Sequence, residues 1–413
     1  MKFFLRTRSI RIVAALAIAS GTAGLASLTA LSGPSAQADP LSTTAEIGVG
    51  ADVTQDLYDA LSGASAANTA STTFFTPLHT TAANDNTTIE SFDAFPSGGS
   101  TLNPGCITTK TGGPSFDRPN STTNGIAALN AEISGSGWED TTNTSCTNAK
   151  VNVVGQFNFA RAARGAKSGG SVLTFAPFAR DAVAYLYFDH SDGNATLPDL
   201  TTAQLTTLYS GGSNVIGGDT VKPCLTISGS TPRSNLESAI TVSDTTAEAT
   251  ALAAGCDQIQ QNSANAFYTF ASTLPAGTDA IIPISSGDWI AQANGLAVDE
   301  SGTARAGGVA IGSVSGVGSP TTGTAPSLLP NTTYYQNTSY GYNIYTVLPT
   351  NILSGFDEDS NLVDLFTNTA VSPAPNNAEI CQTATQTIIH EFGFDSLTSA
   401  EGSCGSTTTT GDS

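Results

Sequence analysis

Residues 173–188 read LTFAPFARDAVAYLYF, and this stretch decides the predicted fold. Its two short apolar runs, Leu173–Phe178 and Val183–Phe188, predict two buried strands. A segment that begins with threonines follows at Thr202–Tyr209, and threonine hydroxyls can cap the start of a helix. Strands that alternate with helices predict an α/β fold with mostly parallel sheets.

The alternation continues outward from this stretch in both directions. Further strands are predicted at Ala45–Gly50, Thr88–Phe95, Val151–Phe157, Lys222–Ile227, Ala280–Ile284 and Gly341–Leu348. Further helices are predicted at Gln55–Leu61, Gly125–Glu132, Ser234–Ile240, Ala247–Ala254, Ala264–Leu274, Leu362–Phe366 and Cys381–His390. A span of roughly 375 residues is too long for one open sheet and predicts two lobes.

The first 38 residues predict a secretory signal. Lys2, Arg6, Arg8 and Arg11 precede an uncharged stretch that ends in Ala36-Gln37-Ala38, which fits cleavage after Ala38. The alternative is an uncleaved anchor helix, which glycines and a proline disfavour. No cysteine follows the apolar stretch and no second long apolar run occurs, so we expect a product without membrane insertion, extracellular or cell-wall associated.

The composition excludes several classes of function. The chain has 14 Lys and Arg against 34 Asp and Glu, and a formal charge of −20 argues against nucleic acid as a partner. Three histidines leave little room for a zinc site or a histidine base, and neither a nucleophile elbow nor a phosphate-binding P-loop motif occurs. We therefore expect a binding protein that is not an enzyme and carries neither a metal nor a cofactor.

Six cysteines in an exported chain predict disulfides, and six allow fifteen pairings. Their spacing favours three local bonds, Cys106–Cys146, Cys224–Cys256 and Cys381–Cys404. Each bond would close a loop that contributes about 3 kcal/mol of stability through chain entropy.

Three loops between a strand and a helix are rich in glycine and hydroxyl side chains: Gly48–Asp52, Pro96–Ser100 and Ser228–Ser234. Such a loop presents backbone N–H groups at a helix N-terminus, where an anion is favoured. Most of the cations behind the signal lie between Lys110 and Arg180. Either this clustering is chance and a solvated face, or the arginines sit where an anionic ligand needs them.

At these loops the sequence resembles the phosphate-type solute-binding proteins of ABC importers, which have the type 2 periplasmic-binding-protein fold, and most of all their secreted actinobacterial members. The resemblance runs in order from about residue 47 to residue 394. It is carried by Gly48–Asp52 with Leu57 and Tyr58, Phe116–Ser121, Phe159–Gly165, Leu173–Val183, Leu200–Thr201 with Leu205 and Tyr209–Gly211, Gly229–Arg233, Ile284–Gln292 and Tyr345–Pro349.

The resemblance implies two lobes joined at a hinge, with lobe 1 formed by residues 39–178 and 307–413 and lobe 2 by residues 179–306. It implies an oxyanion such as phosphate in the cleft between them, an ABC permease as partner and no catalysis. The ligand-binding residues that it implies are Gly50, Ala51, Asp52, Ser97, Gly98, Arg118, Ser121, Arg161, Arg164, Ser230, Thr231 and Arg233.

The sequence departs from the family pattern at three places. Asp52 stands where phosphate binders have Thr, Ala163-Arg164 stand where they have Ser-Asp, and Pro232 removes an N–H donor from the third loop. Under one interpretation, Asp52 replaces the lost carboxylate and favours a ligand that still carries a proton, such as hydrogen phosphate. Under the other, phosphate binding is lost or changed.

Three functions remain open at this stage. The first is a secreted protein that binds phosphate or a similar oxyanion for import. The second is an extracellular interaction protein that keeps the fold without binding a small anion. The third, an enzyme such as a phosphatase, is disfavoured because no nucleophile–base pair is visible.

Overall fold

The computed structural model describes residues 45–63, 75–80, 87–96, 104–141, 146, 149–190, 193–368 and 378–413. The strands are β1 (Glu46–Gly50), β2 (Ile89–Ser91), β3 (Cys106–Ile107), β4 (Phe116–Asp117), β5 (Phe159–Ala162), β6 (Leu173–Phe188), β7 (Asp199–Leu200), β8 (Val215–Ile216), β9 (Asp219–Pro223), β10 (Thr278–Ser285), β11 (Ala310–Ile311), β12 (Ser313–Val314), β13 (Thr321–Thr322), β14 (Leu329–Pro330), β15 (Gly341–Pro349) and β16 (Thr410–Gly411).

The helices are α1 (Gln55–Leu61), α2 (Thr122–Ser134), α3 (Thr202–Tyr209), α4 (Thr231–Ile240), α5 (Asp244–Ala254), α6 (Ala264–Ala271), α7 (Ser286–Asn294), α8 (Gly302–Ala306), α9 (Thr332–Tyr335), α10 (Ser360–Phe366) and α11 (Thr383–Glu391). Short 3₁₀ turns lie at Asp52–Thr54, Thr350–Leu353 and Glu379–Cys381. None of the helices in these ranges is long and apolar enough to span a membrane. The predicted signal lies outside the described residues.

The main sheet has the strand order β2-β1-β5-β15-β6-β10-β9-β8. Parallel pairing, which the sequence predicted, occurs near both ends, where β1 pairs with β2 and β5 and where β9 pairs with β10. The middle is antiparallel, because the long strands β6 and β15 run against each other and against their neighbours. The α/β fold class is confirmed. The sheet is mixed, and the fold has two lobes.

Strand β6 corrects the prediction of two separate strands. It runs without a break through Arg180 and Asp181, because both charges are satisfied inside the protein. The Arg180 guanidinium donates to the Tyr335 carbonyl (2.6 Å), and the Asp181 carboxylate accepts from the Ser285 hydroxyl (2.6 Å). A strand can therefore carry two ionisable residues through a core when each of them has a partner.

Among the described residues, four clusters of buried side chains adjoin this strand, two along each half. Residues of its first half, such as Phe175 and Phe178, pack with β1, β5, α1 and α2, whereas Tyr185 and Leu186 of its second half pack with β9, β10 and α4. The long strand therefore connects two lobes. The residue limits predicted for each lobe stay a prediction.

Most of the other elements lie near their predicted places, but one predicted strand is wrong. At Val151–Phe157 the chain forms a single bridge between Val151 and Trp138 and then turns at Gly155, whose φ is +73°. Val153 and Phe157 are buried in the core. The alternate apolar residues that predicted a strand are therefore buried side chains of a loop. The three predicted disulfides are confirmed.

Candidate functional site

Three helices of at least ten residues begin at one cleft of about 700 Å³. Ser121 caps α2 by accepting from the Asn124 N–H (3.1 Å), Ser243 caps α5 by accepting from the Thr246 N–H (3.3 Å), and Ser230 precedes α4. We call this the basic cleft. It is lined by Thr122, Thr123, Ala163, Arg164, Lys167, Gly229, Thr231, Ser234, Asn235, Glu237, Ser238, Thr241, Val242, Ser243 and Asp244.

Two cations of the basic cleft lack a neutralising partner. Arg164 is half-buried, and its guanidinium donates to the Gly165 carbonyl (3.2 Å) and weakly to the Thr123 hydroxyl (3.5 Å). Burial lowers the pKa of Arg164, and the Arg164 charge lowers the pKa of Lys167. Within the described part of the chain, neither side chain forms an ion pair. Neither charge is therefore neutralised by direct contact with a carboxylate.

The acidic residues of the same cleft belong to a different cation. Arg233 is fully buried, and its guanidinium lies 2.6 Å from the Asp244 carboxylate and 3.1 Å from the Glu237 carboxylate. Glu248 and Asp257 complete its surroundings at 3.3 and 3.5 Å. Four carboxylates around one guanidinium leave Arg233 no free charge to offer a ligand. Burial and the nearby Asp244 raise the pKa of Glu237 to about 7.

The loop before α4 reaches the cleft through its glycine and threonine. Gly229 has a φ of +79°, a left-handed conformation that favours glycine, and Thr231 lines the cleft. The Ser230 hydroxyl is buried and hydrogen-bonded to the Thr226 hydroxyl (2.6 Å). Pro232 occupies the second position of α4 and donates no N–H there.

Arg118 and Arg161 hold loops in place. Arg161 is fully buried and donates to the carbonyls of Gly50 (3.2 Å), Ala51 (3.1 Å) and Phe92 (2.9 Å), and also to the Ser91 hydroxyl. Arg118 donates to the carbonyls of Pro104, Asp93 and Cys106. A guanidinium occupied in this way tethers strand ends and loops to one another.

The turn after β1 opens onto a second site. Gly50 has a φ of +123°, and a Cβ there would lie 2.6 Å from the Arg161 carbonyl oxygen, so only glycine fits. Ala51 is buried beside it, and Asp52 lines what we call the acidic pocket. That pocket, of about 50 Å³, is lined by Asp52, Gln55, Asp56, Phe95, Pro96, Gln260, Gln261, Asn262, Asp288, Gln292, Val298 and Glu300. Burial raises the pKa of Asp52 to about 7.

The predicted ligand residues are thus divided between two places. Arg164 and Thr231 line the basic cleft with Ser121 at its edge, whereas Asp52 lines the acidic pocket with Arg161 behind it. Ser97 and Gly98 lie outside the described residues. Sequence reasoning missed Lys167 and the start of α5. Two features of the sequence could have indicated them. Lys167 lies three residues after Arg164, and Ser243 stands where a serine can cap the start of a helix.

No protein-family model matches the chain, and no curated protein matches it. Solved structures do. PstS from Borrelia burgdorferi is 14% identical, with 86% of this chain and all of that chain covered at a TM-score of 0.40. A proposed phosphate ABC transporter substrate-binding protein from Clostridium perfringens, with bound phosphate, is 13% identical, with the same coverage and a TM-score of 0.46.

An ABC-type phosphate transport receptor from Vibrio cholerae is also 13% identical, with 68% of this chain and 86% of that chain covered at a TM-score of 0.39. All three TM-scores lie below 0.5. The evidence on function therefore lies in the residues of this chain.

Proposed function

We propose that the chain is a secreted solute-binding protein that holds a small oxyanion, phosphate foremost, in the basic cleft for uptake by an ABC importer. One observation carries the proposal: among the described residues Arg164 and Lys167 form no ion pair, and they lie where three helices begin. Helix N-termini and a guanidinium both favour an anion, and they stabilise it most when they converge on one point.

The two walls of the basic cleft belong to the two lobes. Arg164 follows β5, whose residues pack against the first half of β6, whereas Thr231 begins α4, which packs against the second half. An anion that accepts from both walls stabilises a closed arrangement over an open one. We infer a hinge motion about the strands that cross between the lobes, chiefly β6.

Binding without catalysis fits the residues of this cleft. Its lining contains neither a histidine nor a cysteine, and its two acids, Glu237 and Asp244, are held by Arg233. Hydroxyls of Thr122, Thr123 and Thr231 supply hydrogen-bond donors. These groups can bind an oxyanion through hydrogen bonds and charge.

Calorimetry on the mature chain tests the proposal. We expect phosphate to bind with a dissociation constant in the micromolar range, on the order of −8 kcal/mol. Arg164→Gln removes the charge that faces the cleft, and affinity should fall about tenfold or more. Arg305→Gln is the matched control, because Arg305 is paired with Asp299 at 2.8 Å and lies outside the cleft. Equal affinity in Arg164→Gln and the wild type would contradict the proposal.

One observation favours the alternative of an extracellular interaction protein. A cleft of about 700 Å³ is much larger than an inorganic phosphate needs and has exposed serines, Ser234 and Ser238, on its rim. Titration with phosphate, sulfate and a phosphate monoester separates the two functions. No heat for any of them in a folded protein would favour the interaction protein, whereas tighter binding of the monoester would refine the ligand class.

A further inference from the structure

The basic cleft has room for more than an inorganic phosphate. Its volume of about 700 Å³ lies within the range of about 300–1,000 Å³ that is typical of sites for small organic ligands. Its lining includes both the start of α4, at Thr231, and the segment after the end of that helix, at Thr241. At a rise of about 1.5 Å per residue, these two threonines lie roughly 15 Å apart along the helix axis. A single phosphate group can contact only part of this length.

The wall that α4 contributes to the cleft carries several hydroxyl groups. Its residues recur at spacings of three and four, which places them on one face of the helix: Thr231, Ser234, Asn235, Ser238, Thr241 and Val242. Within the described part of the chain, the hydroxyls of Thr231, Ser234 and Thr241 form no hydrogen bond, whereas the Ser238 hydroxyl donates to the Ser234 carbonyl (2.8 Å). Free hydroxyls can both donate to a ligand and accept from it.

The lining disfavours a ligand with an aromatic or a long apolar group. Among the described residues that line the cleft, none is aromatic, and Ala163 and Val242 carry the only apolar side chains. Proteins commonly hold a nucleobase by stacking it on aromatic side chains, and they hold hydrocarbon groups in apolar pockets. The organic part of a ligand that fits this cleft is therefore polar.

The charges of the cleft favour one phosphate group and disfavour a second. Among the described residues, Arg164 and Lys167 supply two positive charges without an ion pair, and a phosphate monoester carries a charge of about −1.5 to −2 at pH 7. The carboxylates of Glu237 and Asp244 line the same cleft, at 3.1 and 2.6 Å from the Arg233 guanidinium. They repel a further anionic group, but they can accept hydrogen bonds from hydroxyls.

We propose that the basic cleft binds a phosphate monoester of a small polyol, such as a sugar phosphate, with its phosphate group at Arg164 and Lys167 and its hydroxyls against the polar face of α4. The inference rests on the proposed function, because it needs an anion at Arg164, and it adds the chemical class of the rest of the ligand. Ligand hydroxyls match both the carboxylates and the hydroxyls of the lining, since they donate and accept. An ammonium group only donates.

Calorimetry on the mature chain at pH 7.5 tests this inference. The ligands are inorganic phosphate, glucose 6-phosphate, glycerol 1-phosphate, phenyl phosphate and phosphoethanolamine, at equal ionic strength. We expect at least one of the two polyol phosphates to bind about tenfold or more tightly than inorganic phosphate, because it also contacts the hydroxyls of α4. Phenyl phosphate, which has no hydroxyl, and phosphoethanolamine, which has an ammonium group in its place, should bind more weakly than that polyol phosphate.

The double variant Ser234→Ala/Ser238→Ala removes two exposed hydroxyls from the polar face of α4. Alanine favours a helix, so the variant should fold. Its affinity for the polyol phosphate should fall about fivefold or more, and its affinity for inorganic phosphate should stay unchanged. Ser134→Ala is the matched control. Ser134 is an exposed serine of α2 whose hydroxyl donates to the carbonyl four residues earlier (2.7 Å), as that of Ser238 does, and it lies outside the cleft.

Three results would overturn the inference and leave the proposed function intact. In the first, phosphate binds through Arg164 and neither polyol phosphate binds more tightly. In the second, phenyl phosphate or phosphoethanolamine binds as tightly as the polyol phosphates. In the third, the folded double variant keeps the wild-type affinity for the polyol phosphate. Arg164→Gln identifies a failure of the proposed function itself, because it should weaken phosphate and polyol phosphates alike, and unchanged affinity for both would contradict an anion at Arg164.

Discussion

The basic cleft and the acidic pocket contrast in which of their polar atoms remain unpaired. Among the described residues of the cleft, the groups without an ion pair are donors, the Arg164 guanidinium and the Lys167 ammonium, while the carboxylates of Glu237 and Asp244 contact Arg233. In the pocket the unpaired groups are acceptors, and the nearby Arg161 is occupied by carbonyls. The two places therefore differ in which kind of polar atom folding leaves unpaired.

Arg161 and Arg164, only three residues apart, show the same contrast between a paired and an unpaired group. Arg161 is fully buried with its donors on carbonyls of the loops after β1 and β2. Arg164 is half-buried, faces the cleft and makes two long contacts. Both side chains are guanidinium groups, but Arg161 stabilises the fold whereas Arg164 is available to a ligand in the cleft.

The largest expected effect follows from replacing the buried arginine. Arg161→Met leaves the carbonyls of Gly50, Ala51 and Phe92 without their donor, and we expect a loss of about 3–5 kcal/mol in the free energy of unfolding. Arg164→Met should change it by less than about 0.5 kcal/mol. Urea unfolding followed by circular dichroism measures both. Equal stability losses in the two variants would break the comparison.

A smaller effect should appear in the pH dependence of stability. The pKa values of Asp52 and Asp56 are about 7 in the folded protein against an ordinary value of 3.8. Their protonated forms therefore stabilise the fold fully below about pH 4, and this contribution is lost as the pH rises through 7. From pH 5.5 to 7.5, one such group should lower the free energy of unfolding by about 2 kcal/mol.

Asp52→Asn isolates the contribution of one group. Between the two pH values, the free energy of unfolding measured in urea should decline less in this variant than in the wild type. Asp357→Asn, which replaces an exposed carboxylate, should keep the wild-type decline. A decline that is the same in all three proteins would show that the pocket does not hold its carboxyls protonated.

The alternation of strands and helices was sufficient to predict the α/β fold, because apolar runs and caps are local signals. The continuity of β6 was not predictable in the same way. Arg180 and Asp181 interrupt the apolar pattern, and the partners that satisfy them, Tyr335, Ser285 and Tyr342, lie more than 100 positions away in the chain. A charge in a run of apolar residues ends a strand only if the fold offers it no partner.

Prediction of the site was limited for the same reason, because contacts between distant parts of the chain cannot be deduced from local patterns. Glycine and serine turns before helices indicated Thr231 and the segment around Arg164, which meet in the basic cleft. The sequence could not tell which arginines remain free, since Glu237, Asp244, Glu248 and Asp257 surround Arg233 only after α4 and α5 pack together. The acidic pocket was missed because α1, α7 and residues 260–262, which lie far apart in the chain, meet there only in the folded protein.

The smallest expected effect is a change in the pKa of Lys167. It tests whether the cations of the basic cleft lack ion-pair partners. The Arg164 charge holds the pKa of Lys167 below its ordinary value. Phosphate in the cleft should raise that pKa, and so should Arg164→Gln in the ligand-free protein, because each removes net positive charge near the ammonium group.

NMR of ¹³C-labelled lysine side chains can follow this titration, because only Lys110, Lys150, Lys167 and Lys222 occur after residue 38. Lys222 is the internal control, since it does not line the basic cleft. If phosphate shifts the titration of Lys167 and leaves the Lys222 signal unmoved, the anion lies beside the unpaired cations. If both signals respond alike, the anion binds diffusely, and a cleft with unpaired cations is then no better a receptor than the protein's general surface.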